Sequence, residues 1–182
     1  NGMINGILRN DRYKYLINMI KINNISKCYG KKKILEDVSF TISPGECISL
    51  LGINGAGKTT LSSIIAGIKA PSSGDIFYKN NSIYNDISSY KKTIGFCQQT
   101  PNLDSNLTLK ENLIFSGRFF GLSSEQTLNQ LKELSLKFHL DSYLDYYDYQ
   151  LSGGFKQRFM IARSLMHHPS FLILDEPTVA MD

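Results

Sequence analysis

Residues 52 to 60 run Gly52-Ile53-Asn54-Gly55-Ala56-Gly57-Lys58-Thr59-Thr60, a GxxxxGK[ST] spacing that leaves few folds open. Three glycines in six residues reach backbone conformations closed to other side chains, and they clear the space that the loop surrounds. Successive N–H groups in such a turn converge on an anion, and a helix beginning there aims its positive end at the same point. Lys58 adds a point charge for the β- and γ-phosphates of a nucleotide, and the Thr59 hydroxyl is a hard donor suited to Mg2+. Chance could produce a glycine-rich turn with this spacing, so the flanks matter. Cys47-Ile48-Ser49-Leu50-Leu51 is nearly all apolar, the pattern of a strand buried on both faces. The residues after the loop read as a helix ending near Gly67. Strand, glycine loop and helix in that order are the context a phosphate-binding loop requires.

With 182 residues, 42% of them hydrophobic and 20% charged, the chain can bury a core of ordinary globular composition. A net charge of +4 is mild and decides little about partners. Cys28, Cys47 and Cys97 are odd in number and scattered, which argues against a disulfide framework or a zinc site and for buried, reduced thiols. No run approaches the eighteen or more apolar residues of a membrane-spanning helix. Arg9, Arg12 and Lys14 precede no apolar core, so the N-terminal stretch does not read as a signal peptide.

Residues 1–18 fit poorly with the rest of the chain and read as an extension, frayed or weakly helical. Regular patterning begins at Met19. Ile20, Ile22 and Ile25 mark a strand, Val38–Ile42 alternates apolar and polar, and Pro44-Gly45 makes a turn. Further strands are expected at Asp75–Lys79 and Thr93–Cys97. From about Thr108 to His139 the spacing of Leu109, Leu113, Phe120, Leu128, Leu131 and Leu134 predicts helix. A Tyr/Asp-rich loop, Tyr143–Tyr149, leads to a second helical stretch from about Ser152 to His167. Phe171–Leu174 then reads as a buried strand ending at Asp175-Glu176. This order of elements implies an α/β fold class with a largely parallel sheet.

Two more constellations carry chemistry. An acidic pair after a strand is usually only a loop start. Beside a phosphate loop, however, Asp175 suits a water-bridged Mg2+ ligand and Glu176 a base that polarises an attacking water. Leu151-Ser152-Gly153-Gly154-Phe155-Lys156-Gln157-Arg158 places two glycines and a hydroxyl at a helix start, a second anion-binding cap.

That last segment resembles the LSGGQ signature of the ABC ATPases, and its position between the phosphate loop and the acidic strand makes the resemblance specific. It covers about Met19 to Asp182. It implies a P-loop core with an N-terminal antiparallel part and a helical subdomain over about residues 100–165. It also implies ATP and Mg2+ as cofactors, with residues 52–60 on the phosphates and Tyr29 as the ring that stacks on adenine. Gln99 falls at the Q-loop glutamine, which reaches Mg2+ and the attacking water; its neighbour Gln98 does not fit that role. Thr59, Gln99 and Asp175 are then the metal-binding set, with Glu176 the general base. Ser152, Gly153 and Gly154 close over ATP held by a second copy, and Asp182 ends the D-loop.

The sequence departs from the family pattern at Phe155, where a glutamine is usual. The family histidine beyond the D-loop also has no counterpart, since His139, His167 and His168 all lie upstream. The resemblance therefore implies that the chain stops before its last functional element, and that a strand between the phosphate-loop strand and the Asp175 strand is missing. Pro101-Asn102-Leu103-Asp104, Leu107–Leu113 and Gly117–Leu122 are similar to the drug-resistance and nodulation-factor exporter type. That type works with a second ATPase subunit and a separate transmembrane permease, at the cytoplasmic face of the membrane, with no direct nucleic acid. An ABC ATPase acting on nucleic acid or ribosomes, or an ATP-binding module without turnover, would use the same residues.

Overall fold

A computed structural model describes residues 19–176 of the chain. The expected character of residues 1–18 and the role of Asp182 lie outside these residues. The described part belongs to two compact units, one up to Tyr90 and one from Lys91 onward.

The first unit is built on an antiparallel sheet of β1 (Ile20–Tyr29), β2 (Lys32–Ile42), β3 (Ser73–Tyr78) and the short β4 (Asn81–Ser82), in the order β2-β1-β3-β4. Ile20 and Ile22 share a face, as strand alternation requires, but Ile25 stands an odd number of residues on. A register shift between Ile22 and Ile25 restores it, with Asn24 at a left-handed φ of 49°, and all three side chains are buried. They share the core with Ile76, and with Leu61, Ile64 and Ile65 of α1 (Lys58–Ile65). The short α2 (Ile87–Lys91) contributes Tyr90, whose hydroxyl donates to the Ile65 carbonyl at 2.7 Å. Burial pushes the Tyr90 phenol upward, beyond the ordinary tyrosine range.

The predicted strand at Cys47–Leu51 does not form. No described strand hydrogen-bonds to it, Leu51 is 92% exposed, and Ile48 and Leu50 are also exposed. A strand exists only through its ladder, and an apolar run without a neighbour stays irregular. Cys28 and Cys47 are exposed rather than buried; Cys97 alone matches the expectation of an interior thiol.

The second unit holds a parallel pair, β5 (Ile94–Cys97) and β6 (Phe171–Leu174), with α3 (Leu109–Phe119), α4 (Ser124–Lys137) and α5 (Gly153–Leu165). The helical stretch expected from 108 to 139 is thus two helices. Gly121, at φ 93°, ends the first in a left-handed turn closed by its own N–H on the Arg118 carbonyl and by the Leu122 N–H on the Gly117 carbonyl. Each helix begins with a capping box, Thr108 with Glu111 and Ser123 with Gln126. Leu109, Leu113, Leu131 and Leu134 are buried with Phe159, Met160 and Met166 of α5 and its end, while Leu128 faces solvent. Strand β6 is less buried than its sequence suggests. Among the described strands it pairs with β5 alone, and Leu172 and Leu174, which share one face of the strand, are exposed. Among the described residues no helix is long and apolar enough to cross a membrane.

Candidate functional site

In the first unit the 52–60 loop takes the shape its glycines permit. Gly55 and Gly57 have φ of 84° and 91°, both left-handed. A Cβ on Gly57 would meet Leu35 Cδ2 at 2.8 Å and the Ile34 carbonyl oxygen at 3.1 Å, so the end of the loop is pressed against β2. The Lys58 ammonium curls back, donating to the carbonyls of Gly52 at 2.9 Å and Ile53 at 3.2 Å, and so closes the loop into a ring. Thr59 and Thr60 continue into the first turn of α1, whose N-cap is Gly57. A glycine cap offers no side-chain oxygen to the leading N–H groups of that helix, the arrangement an anion completes.

Tyr29 ends β1 with its ring about half exposed. The Lys27 and Lys69 ammoniums lie 5.4 and 6.0 Å from its centroid. Lys27 pairs with Leu35, the residue that a Gly57 Cβ would strike. Tyr29 stands two residues beyond Lys27, about 7 Å further along the strand at about 3.3 Å per residue, so its ring and the loop lie along the same hairpin.

In the second unit the structure brings Gln99 and Glu176 together. The Gln99 carboxamide donates to a Glu176 carboxylate oxygen at 2.6 Å, although the two are 77 positions apart. Strands β5 and β6 do this by lying parallel and in register, Cys97 beside Leu174, and the Asp175 N–H extends the ladder to the Cys97 carbonyl at 2.9 Å. Asp175 is buried, and Glu176 turns away with a left-handed φ of 47°. Gln98 is half-buried and carries no comparable contact to the acidic pair.

Ser152 is the N-cap of α5, with Gly153 and Gly154 in the first turn. Its exposed hydroxyl makes no capping hydrogen bond to its own helix. Phe155 is accommodated by an aromatic cluster, its ring 4.4 Å from that of Tyr143 and 5.0 Å from the Arg158 guanidinium. His167 is a pin rather than a site residue. Its ring stacks on Phe120 at 3.8 Å, and Nε2 donates to the Ile94 carbonyl at 3.0 Å. Nδ1 is buried without a partner, and desolvation lowers the basicity of the ring.

Sequence reasoning missed Arg163. Its guanidinium grips Asn102, donating from Nη1 to the backbone oxygen at 2.8 Å and from Nη2 to the side-chain oxygen. The available signal was a charge four residues after Phe159, one turn from the buried part of α5.

The sequence matches the family model described as "ABC transporter" over residues 35–179. It is 39% identical over 163 residues to "Nod factor export ATP-binding protein I" of Paraburkholderia xenovorans (strain LB400), covering 90% of this chain and 54% of that protein. To the protein of the same name from Rhizobium etli it is 36% identical over 179 residues, 98% of this chain and 56% of the relative. The chain thus spans about half the length of the curated relatives it matches. Among solved structures, the "Dimeric structure of a post-hydrolysis state of the ATP-binding cassette MJ0796 bound to ADP and Pi" superposes with a TM-score of 0.81. The identity is 30%, over 90% of this chain and 76% of that one. The match runs through the phosphate-loop ring, the acidic strand end and the glycine-started helix alike, and the chain belongs to the ABC transporter family of ATP-binding proteins.

Proposed function

We infer that the chain binds Mg-ATP and hydrolyses it to energise transport, most plainly as the engine of an exporter of small molecules. The observation that carries this reading is the Gln99–Glu176 contact: the two residues assigned to the attacking water meet at 2.6 Å. The relatives' printed names, which say export, support that direction.

In this reading the Gly52–Thr60 backbone and Lys58 bind the phosphates, and Tyr29 stacks on the base. Thr59, Asp175 and Gln99 are assigned to the cation, whose bound form would neutralise charge on the phosphates. Their donors are all hard oxygens, and the buried Asp175 carboxylate is the strongest among them, so the set fits Mg2+. Glu176 accepts the proton of the water that attacks the γ-phosphorus in line with the departing ADP oxygen. Gln99 orients that water through the amide that meets Glu176. Ser152, Gly153 and Gly154 serve the nucleotide of a second copy, and a separate transmembrane protein at the cytoplasmic face of the membrane receives the motion.

Glu176→Gln tests the assignment in the full chain. It keeps the shape and the contact with Gln99 but removes the base. Nucleotide binding should persist while turnover falls about a thousandfold or more. Turnover at the wild-type rate would remove Glu176 from the mechanism.

A further inference from the structure

The segment that carries Gln99 is short, and it is fastened at both ends. At the near end, the Cys97 carbonyl accepts from the Asp175 N–H at 2.9 Å, and its buried sulfur accepts from Gln157 Nε2 at 3.5 Å. At the far end, Asn102 is held three ways. Arg163 donates to its backbone and side-chain oxygens, and the Asn102 N–H donates to the Met160 sulfur at 3.4 Å. Gln157, Met160 and Arg163 all belong to α5, the helix that begins at Ser152. Between Gln99 and Asn102 stand only Thr100 and Pro101. The proline fixes its own φ and biases Thr100 toward extended backbone, so the spacer transmits position rather than absorbing it.

We propose that Arg163 is a positioning residue for Gln99, fixing the 99–102 segment to the signature helix so that the Gln99 carboxamide meets Glu176 in register. A planar guanidinium can address two oxygens of one residue at once, and it thereby sets the direction of the segment as well as its distance. A lysine ammonium offers a charge without that fork. The helix is a rigid lever for this purpose, because Phe159, Met160, Ala162 and Met166 are all buried in the core of the second unit. The stretch from Gly153 to Arg163 spans about 15 Å of it. A displacement of the signature end is therefore delivered to Asn102, and through the proline spacer to Gln99.

The proposal rests on the ATPase reading for its consequence but not for its geometry, and the experiment separates the two. Arg163→Lys and Asn102→Ala are made in the full chain, each alone. Mg-ATP turnover, melting temperature and backbone hydrogen exchange over residues 98–103 are then compared with wild type. The expected result is a kcat at least tenfold lower, in line with the cost of misplacing a catalytic group by about an ångström. The KM for Mg-ATP should stay within about twofold and melting within a degree or two, with faster exchange confined to residues 98–103. A purely structural role would instead lower the melting temperature and raise KM together. Asn102 is exposed, so its variant keeps the test standing if substitution at Arg163 prevents folding. Wild-type kcat in both variants overturns the proposal. If the wild-type chain shows neither binding nor turnover of Mg-ATP, the ATPase reading falls; whenever turnover is absent, exchange alone decides: unchanged exchange at 98–103 in Arg163→Lys overturns the clamp.

Discussion

Alanine substitution at the three loop glycines should weaken Mg-ATP binding in the order Gly57, Gly55, Gly52. At Gly57 two costs combine. The φ of 91° is left-handed, which costs an alanine about 1–2 kcal/mol. The new Cβ would also lie 2.8 Å from Leu35 Cδ2 and 3.1 Å from the Ile34 oxygen, an overpacking of about 1–3 kcal/mol. The hairpin behind is laddered and residues 52–56 are exposed, so the loop yields first and the cost falls on its shape. A total of roughly 2–5 kcal/mol is a loss of about thirtyfold or more, since 1.4 kcal/mol is tenfold. Gly55 has a φ of 84° with open space around it, so only the conformational cost applies, about five- to thirtyfold. Gly52 carries no left-handed φ, and its Cβ would sit 3.3 Å from that of Ala56, a contact that should cost less than about fivefold. Calorimetric titration of Mg-ATP into each variant measures the series, with a nucleotide-free melt to confirm the fold. Equal losses at the three positions, or wild-type affinity in Gly57→Ala, would refute the assignment of the loop geometry to phosphate binding.

Other consequences are as direct. Tyr29→Ala should weaken nucleotide binding by roughly 1–3 kcal/mol, the usual worth of a base–aromatic stack, while Tyr29→Trp retains it; equilibrium titration distinguishes them. Gly95→Ala should cost about 1–3 kcal/mol, because its Cβ would lie 2.5 Å from the Ser164 carbonyl oxygen and 2.9 Å from Pro169, both packed on β5. Chemical denaturation reads that loss. His167 gives a pH dependence of definite sign. Its basicity is lowered in the fold from the ordinary 6.5, so the stability it contributes is complete above that value and is lost as pH falls through the folded value. Melts between pH 5 and 7.5 should show that slope in the wild type and a flatter one in His167→Gln.

Legibility in the sequence divides along local and non-local causes. The glycine loop and the capping boxes at Thr108 and Ser123 depend on neighbours within a few residues, and they form as their patterns dictate. Cys47–Leu51 has as strong an apolar pattern as Phe171–Leu174, yet only the latter is a strand. The difference is a partner: β6 has β5 beside it, and the run before the phosphate loop has none among the described strands. Apolar content states that a segment can be buried, whereas pairing decides whether it is. The candidate site divides in the same way. The phosphate loop and the acidic pair could be named from motif and spacing, and Tyr29 and Gln99 from the family resemblance, but the 2.6 Å meeting of Gln99 with Glu176 arises from the parallel register of β5 and β6, which no local pattern encodes. Arg163 lay deeper still. A charge one turn from the buried Phe159 is a question that the sequence can pose, and only the position of Asn102 answers it.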